Sequence, residues 1–479
     1  MTLRKQVFSG VRWTTLSSIG RALLQFIQLA ILARLLEPAD FGLIALVLAT
    51  QVFLKVFADA SISNVVIHHQ DISHSQLSSL FWFNLFVSIV LAALLVISSY
   101  WVAEWYQQPD LHYLLMVAAV TLFAWAIGQQ LRAVARKKMQ FKTLAKIDLF
   151  SALIGAVVAL ALAFKGGGAY SLIVGSLVTA ITCSGLVWQY LSEGWRPRLK
   201  LNLHEIRDHI GFGAYMVGNN LVNAFNAQID VVMGGYILGI NAIGLYSVPK
   251  DITTRLNTLI NPIITQVGLP VMAKLQGEEL RLRRVFLQTM RMTVSINAPI
   301  FVFMAFFSYE IVYLYLGEKW EQSAPLLQLL AVVALLRSMG NPIGSLLMAK
   351  GRVGLSFKWN MFWFTVTVPA IYAGSYYGTG GMALVQLVLG IIGYWPGWYF
   401  LVRPLCGTSF ISYLLQHAVP MLLSLFAGLS GYFSVWAWEG NGIRLMVGGV
   451  VFGITYGGLS WIFNRQWVDS IMEFVRPAQ

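Results

Sequence analysis

Apolar runs of roughly 20 to 27 residues follow one another from near the start of this chain to near its end, each as long as an α-helix must be to cross about 30 Å of hydrocarbon. Such repetition excludes a water-soluble core. Of the 479 residues 57% are hydrophobic and 11% charged, with a mean hydropathy of +0.68, whereas soluble domains carry about a quarter charged residues. No soluble domain fits between the runs.

The pattern predicts an all-α polytopic membrane protein with fourteen transmembrane helices. The first six lie at roughly 11–36, 41–67, 77–104, 110–134, 145–164 and 169–190. The others lie at roughly 210–238, 243–270, 286–306, 322–349, 357–376, 379–402, 414–436 and 441–463. The opening stretch has a basic flank but no small-residue cleavage signal, so the first helix is expected to be retained. Cys183 and Cys406 are far apart, which leaves no disulfide framework and no CxxC metal site.

With the N-terminus in the cytoplasm, every loop after an even-numbered helix is cytoplasmic, and Lys and Arg should gather there. Twenty-four do, among them Arg4 and Lys5 in the tail, Arg132, Arg136, Lys137 and Lys138 after helix 4, and Arg281, Arg283, Arg284 and Arg291 after helix 8. Only Arg34, Lys165, Lys319 and Arg444 fall on the other side. This asymmetry predicts a multi-pass protein of the cytoplasmic (inner) membrane with both termini in the cytoplasm. The net charge of +13 is then a topology signal, with membrane lipids as partners and no role for nucleic acid. His204-Glu205-Ile206-Arg207-Asp208-His209 approaches a zinc-protease HExxH, but its histidines are five apart and fall on different helix faces, so an interfacial loop helix is expected and no metal.

Helices 1 to 6 and 7 to 12 read as two copies of one unit. Leu36, Gly42 and Leu43 match Leu238, Gly244 and Leu245, while Gly128, Lys138 and Lys146 match Gly340, Lys350 and Lys358. The expected division is an N-terminal lobe over 1–200, a C-terminal lobe over 201–405 related to it by pseudo-two-fold symmetry, and two extra helices with a tail over 406–479.

The segment Leu36-Glu37-Pro38-Ala39-Asp40-Phe41-Gly42, and the stretch from Glu310-Ile311-Val312-Tyr313-Leu314-Tyr315-Leu316-Gly317 through Ala349-Lys350-Gly351-Arg352, resemble Wzx-type polysaccharide and oligosaccharide flippases of the multidrug/oligosaccharidyl-lipid/polysaccharide exporter superfamily. The resemblance spans nearly the whole chain. It implies alternating-access transport of an undecaprenyl-pyrophosphate-linked repeat unit for exopolysaccharide or lipopolysaccharide synthesis. It also implies no cofactor, no enzymatic step, and the polysaccharide polymerase machinery as a candidate partner. Lipid II flippases carry an Arg-Gly-Asp pattern in helix 1 that Gly20-Arg21-Ala22 does not reproduce, so that substrate ranks second.

Five cations fall within the spans: Arg21, Lys55, Lys250, Arg255 and Arg337. At about 2.5 to 3.5 kcal/mol each at a helix centre, exposure of the set to lipid is implausible. Arg21, Lys55, Arg255 and Arg337 lie at depths of about 15 to 22 Å, counted at 1.5 Å per residue, and are the expected contacts for an anionic substrate. Lys55 and Asp59, and Asp251 and Arg255, are spaced for local ion pairs, whereas Arg21 and Arg337 have no acid within four residues.

Helix 1 lines up Thr14, Ser18, Arg21, Gln25 and Gln28, and helix 7 lines up Asn219, Asn223, Asn226 and Asp230. Such stripes serve either as interhelical glue or as a lining that hydrogen-bonds sugar hydroxyls. Asp230, without an evident local partner, is the candidate site for a coupling proton or sodium ion. Prolines inside the later spans, such as Pro249, Pro262, Pro299 and Pro342, predict that the second lobe bends more. A multidrug antiporter of the same architecture should show carboxylates at mid-membrane, where this chain is cationic. A glycan ligase or polymerase should show a large outer loop, where this chain has about 4 to 15 residues.

Overall fold

The computed structural model describes residues 3–59, 73–198, 207–465 and 467–469, which form two compact units, Met1–Gly244 and Leu245–Gln479. All regular structure among the described residues is helical. Eleven helical stretches there are long and apolar enough to cross a membrane.

The first unit is built from α1 (Leu3–Leu35), α2 (Pro38–Asp59), α3 (His74–Trp105), α4 (Pro109–Lys137), α5 (Phe141–Phe164), α6 (Tyr170–Leu191) and α7 (Arg207–Leu238). α8 (Ile240–Lys274) begins here, and the unit boundary falls inside it. Helix starts follow local chemistry. Ser73 caps α3 with a capping box, its hydroxyl accepting from the Gln76 amide at 3.2 Å while the Gln76 side chain accepts from the Ser73 amide at 3.0 Å. Pro38 and Pro109 open α2 and α4, where a missing N–H costs nothing.

Helices in this unit approach closely where small residues recur four apart. A Cβ on Gly155 of α5 would lie 1.8 Å from Thr179 Oγ1 and 2.6 Å from the Gly175 carbonyl of α6, and one on Gly175 would lie 2.7 Å from the Ala159 Cβ. Association inside lipid depends on such backbone proximity because tails and side chains are equally apolar. α5 also packs against α1, α4 packs against both α3 and α6, and α2 packs against α7.

The second unit continues along α8 and adds α9 (Glu279–Phe306), α10 (Ser308–Tyr315), α11 (Ala324–Met339), α12 (Asn341–Ala349), α13 (Val353–Ser375), α14 (Gly378–Gly397), α15 (Phe410–Val435) and α16 (Asn441–Phe463). α9 is its hub, packed against α11 and α15, while α14 contacts α11 and α13. Its apolar face, with Leu282, Phe286, Met290, Val294, Ala298 and Phe301, is fully buried. The hydroxyls of Thr289 and Thr293 and the Asn297 Nδ2 donate back to carbonyls one turn earlier at 2.8 Å each, which gives these donors partners inside the packed helix.

Several expectations change. Arg281, Arg283 and Arg284, expected in a loop, lie on the first turns of α9, because Leu282 and Phe286 extend its buried face to that end, and Arg291 lies further along the same helix. Arg132, also read as a loop residue, lies inside α4 with its side chain 12% exposed. The run 322–349 is broken: α11 ends at Met339 and α12 restarts at Asn341, since Pro342 has no N–H to continue the ladder and takes a first-turn position. The stretches near 210–238, 243–270 and 357–376 are helical as α7, α8 and α13 and stand outside the apolar eleven. α8 carries Lys250, Asp251, Arg255, Pro249, Pro262 and Pro270 within its length. Residues 204–206 of the rejected metal motif lie outside the described residues, and no group of His, Cys, Asp or Glu among the described residues is arranged to hold a metal ion.

Candidate functional site

In the first unit the polar positions of α1 differ in exposure. Thr14 and Gln25 are exposed, Ser18 and Gln28 are half-buried, and the Arg21 side chain is 38% exposed. Placing such a guanidinium against hydrocarbon would be costly. Arg21 is nevertheless not remote from acid. Asp148 of α5 places Oδ2 3.6 Å from Arg21 Nη1, an approach invisible in a sequence where the two are 127 positions apart.

Asp148 is shared. Arg132 of α4 donates from Nη1 to Asp148 Oδ1 at 2.6 Å and to Cys183 Sγ of α6 at 3.0 Å, and its guanidinium lies 5.9 Å from the Trp125 ring. Two cations therefore share one carboxylate, and the exposed member is Arg21.

Lys55 is exposed on α2, and its expected partner Asp59 has a side chain outside the described residues. On α7, Asn223 is exposed and Asn226 half-buried, while the side chain of Asn219 is outside the described residues. Asp230 is 1% exposed and accepts the Val231 amide at 2.9 Å, which corrects the expectation that it lacks a local partner.

The second unit holds a cavity of about 640 Å³ between α8, α11 and α12, bordered also by Gln386 of α14. α8 contributes Lys250, Thr254, Asn257, Thr258, Asn261 and Thr265, spaced so that they share one face. The amides form a ladder. Asn297 Nδ2 donates to Asn261 Oδ1 at 3.3 Å, Asn261 Nδ2 to Asn257 Oδ1 at 3.2 Å, and Asn257 Nδ2 to the Ala334 carbonyl at 3.1 Å.

Arg337 stands opposite on the last turn of α11, at the break before Pro342. Its Nη2 donates to Gln386 Oε1 at 2.7 Å, and Gln386 Nε2 donates to the hydroxyl of the fully buried Tyr246 at 2.5 Å. The guanidinium is thus aimed by a neutral amide, which leaves its charge uncompensated by any described carboxylate. Arg255 differs. It does not line the cavity, and its Nε pairs with Asp251 Oδ2 at 2.5 Å, the local pairing its spacing allowed.

Apart from Lys250, the α8 stripe is absent from the residues the sequence singles out, as are Asp148 and Gln386, and Arg132 stands there only as a charge expected on the cytoplasmic side. The α8 stripe carries the same three-and-four spacing that marks α1 and α7. The partner residues have no sequence signal, because each is brought in by a different helix.

A multi-pass helical membrane protein with cation-bearing polar surfaces among its apolar spans defines the class. Residues 31–325 match the family described as polysaccharide biosynthesis protein, and the chain belongs to that family. It is 32% identical over 430 residues to the lipopolysaccharide biosynthesis protein WzxC of Escherichia coli strain K12, covering 89% of this chain and 87% of that one. It is 30% identical over 399 residues to the teichuronic acid biosynthesis protein TuaB of Bacillus subtilis strain 168, covering 82% and 83%. Its fold is similar to that of a solved structure of the lipid II flippase MurJ in an inward closed conformation, with a TM-score of 0.76 at 14% identity over 96% of this chain and 100% of that one. The Wzx-type resemblance carried by Leu36 to Gly42 and by Glu310 to Arg352 agrees with these matches.

Proposed function

We propose that this chain is an alternating-access flippase that moves an undecaprenyl-pyrophosphate-linked oligosaccharide repeat unit from the cytoplasmic to the outer leaflet for exopolysaccharide or lipopolysaccharide synthesis. In this reading fourteen helices cross the membrane as two pseudo-symmetric lobes plus two extra helices, both termini are cytoplasmic, and the chain is a carrier without catalysis.

The observation that carries the reading is Arg337, a cation held by Gln386 rather than by an acid at the edge of an amide- and hydroxyl-lined cavity of about 640 Å³. A guanidinium binds phosphate or carboxylate bidentately, and the Asn and Thr face of α8 offers both donors and acceptors to sugar hydroxyls. Membership of the polysaccharide biosynthesis family supports the same substrate class. Arg21 is the matching contact in the first unit, and buried Asp230 is the candidate for coupling to a proton or sodium ion.

The test measures surface polysaccharide and the lipid-linked repeat unit together, normalised to membrane-inserted protein. Arg337→Ala should stop export and accumulate the lipid-linked unit, while Arg337→Lys should keep part of the activity because charge remains but the planar fork is lost. Full export by Arg337→Ala would remove Arg337 from the site.

A further inference from the structure

We propose that Arg132 is a positioning residue that keeps Arg21 available to an anionic group, by taking up the charge of the carboxylate they share, Asp148. The inference rests on the reading of Arg21 as a contact for the lipid-linked anion.

The geometry divides the two arginines. Arg132 is the inner partner, 12% exposed and within hydrogen-bond distance of Asp148 at 2.6 Å, and its contacts with Cys183 and Trp125 fix it among α4, α5 and α6. Arg21 is the outer partner, 38% exposed, and its 3.6 Å approach to Asp148 Oδ2 is too long for a hydrogen bond. Its Nε donates to the Ser17 carbonyl, at 3.4 Å.

Charge counting gives the consequence. Two guanidinium groups and one carboxylate leave one positive charge, and it resides on the exposed member. A phosphate or carboxylate arriving at Arg21 brings the cluster to neutrality without leaving Asp148 bare, because Arg132 still holds it. Without Arg132, Arg21 and Asp148 would be a neutral pair, and an incoming anion would have to displace the carboxylate and strand it in the span.

The test uses full-length protein in lipid nanodiscs, with undecaprenyl pyrophosphate as the probe and its dissociation constant as the readout. Arg132→Gln should weaken binding by about tenfold or more, the order of one charge-assisted contact. Arg132→Lys, which keeps the charge on Asp148, should stay within about threefold of the unaltered protein. The discriminating variant is Arg132→Gln with Asp148→Asn. Removing the competing carboxylate should bring binding back to within about threefold, an outcome a merely structural role of Arg132 does not produce. If Arg132→Gln alone does not insert, the double variant decides: it leaves no unpaired charge in the cluster except Arg21, and adding Arg21→Ala to it should abolish binding. Unchanged binding by Arg132→Gln, or a double variant as weak as the single one, overturns the inference while leaving Arg21 in the site. Unchanged binding by Arg21→Ala overturns the substrate reading of Arg21 itself, and the inference with it.

Discussion

A Cβ built on Gly244 would fall 3.0 Å from the amide nitrogen of Gly42 and 1.7 Å from the carbonyl oxygen of Pro38, and one on Gly42 would fall 1.9 Å from the carbonyl oxygen of Ile240. The start of α8 therefore crosses the start of α2 backbone to backbone, and only hydrogen fits at either position. These two glycines are the pair aligned when Leu36, Gly42 and Leu43 are set against Leu238, Gly244 and Leu245.

Gly42→Ala and Gly244→Ala should each lower the thermal midpoint of the purified protein, at a cost of about 1 to 3 kcal/mol for forcing the backbones apart. Gly453→Ala on α16, where an added Cβ meets nothing within 4 Å, is the control and should melt unchanged or slightly higher. Equal melting of all three would mean that the crossing tolerates side chains.

Gln386 aims Arg337 without neutralising it, so its chemistry sets whether that guanidinium stays available. Gln386→Glu should place a carboxylate against the guanidinium and weaken anion binding by about tenfold or more, while Gln386→Met should loosen Arg337 with a smaller effect. Titration of both variants with a polyprenyl pyrophosphate checks the order. Tighter binding by Gln386→Glu would contradict an anion-binding role.

How much of this was legible depended on whether the signal was local. Helix positions were, since span length and apolarity are properties of contiguous residues, and Arg337 stood out because no acid lies within a turn or so of it. The stripe of Lys250, Thr254, Asn257, Asn261 and Thr265 is legible by its three-and-four spacing, although Pro249, Pro262 and Pro270 interrupt the sequence that carries it. The break at Gly340 was written in Pro342, but the apolar residues on both sides read as one run. Asp148 and Gln386 could not be found, because their pairing with Arg21 and Arg337 is made by helix packing across 127 and 49 positions.

Outside the spans, Lys138 and Gln140 both donate to the Glu193 carboxylate, tying the end of α4 to the end of α6 and holding that carboxyl below the ordinary glutamate value. A lowered folded-state pKa adds stability above the unfolded value that is lost as pH falls through the folded one. Glu193→Gln should therefore melt slightly earlier than the unaltered protein at neutral pH, and the difference should close in acid. The effect is small because the group is fully exposed. A difference that grows on acidification would contradict the assignment.

The charge asymmetry predicts which ends of the helices face the cytoplasm. Alkaline phosphatase fused after Pro109 or Gly380 should be active, and fused after Lys138 or Arg283 inactive, because the enzyme needs the oxidising outer compartment. Activity at Lys138 would invert the first unit.

The most direct test of the central claim is a flipping assay with purified protein in proteoliposomes loaded with a lipid-linked oligosaccharide bearing a label on its glycan. A membrane-impermeant reagent added outside destroys only the glycans exposed there, so the protected fraction reports leaflet crossing. The account predicts that the protected fraction falls with time when the protein is present, that Arg337→Ala slows the fall by about tenfold or more, and that empty liposomes retain it. A protected fraction that stays constant with folded, unaltered protein, under imposed proton and sodium gradients of either direction, would contradict it.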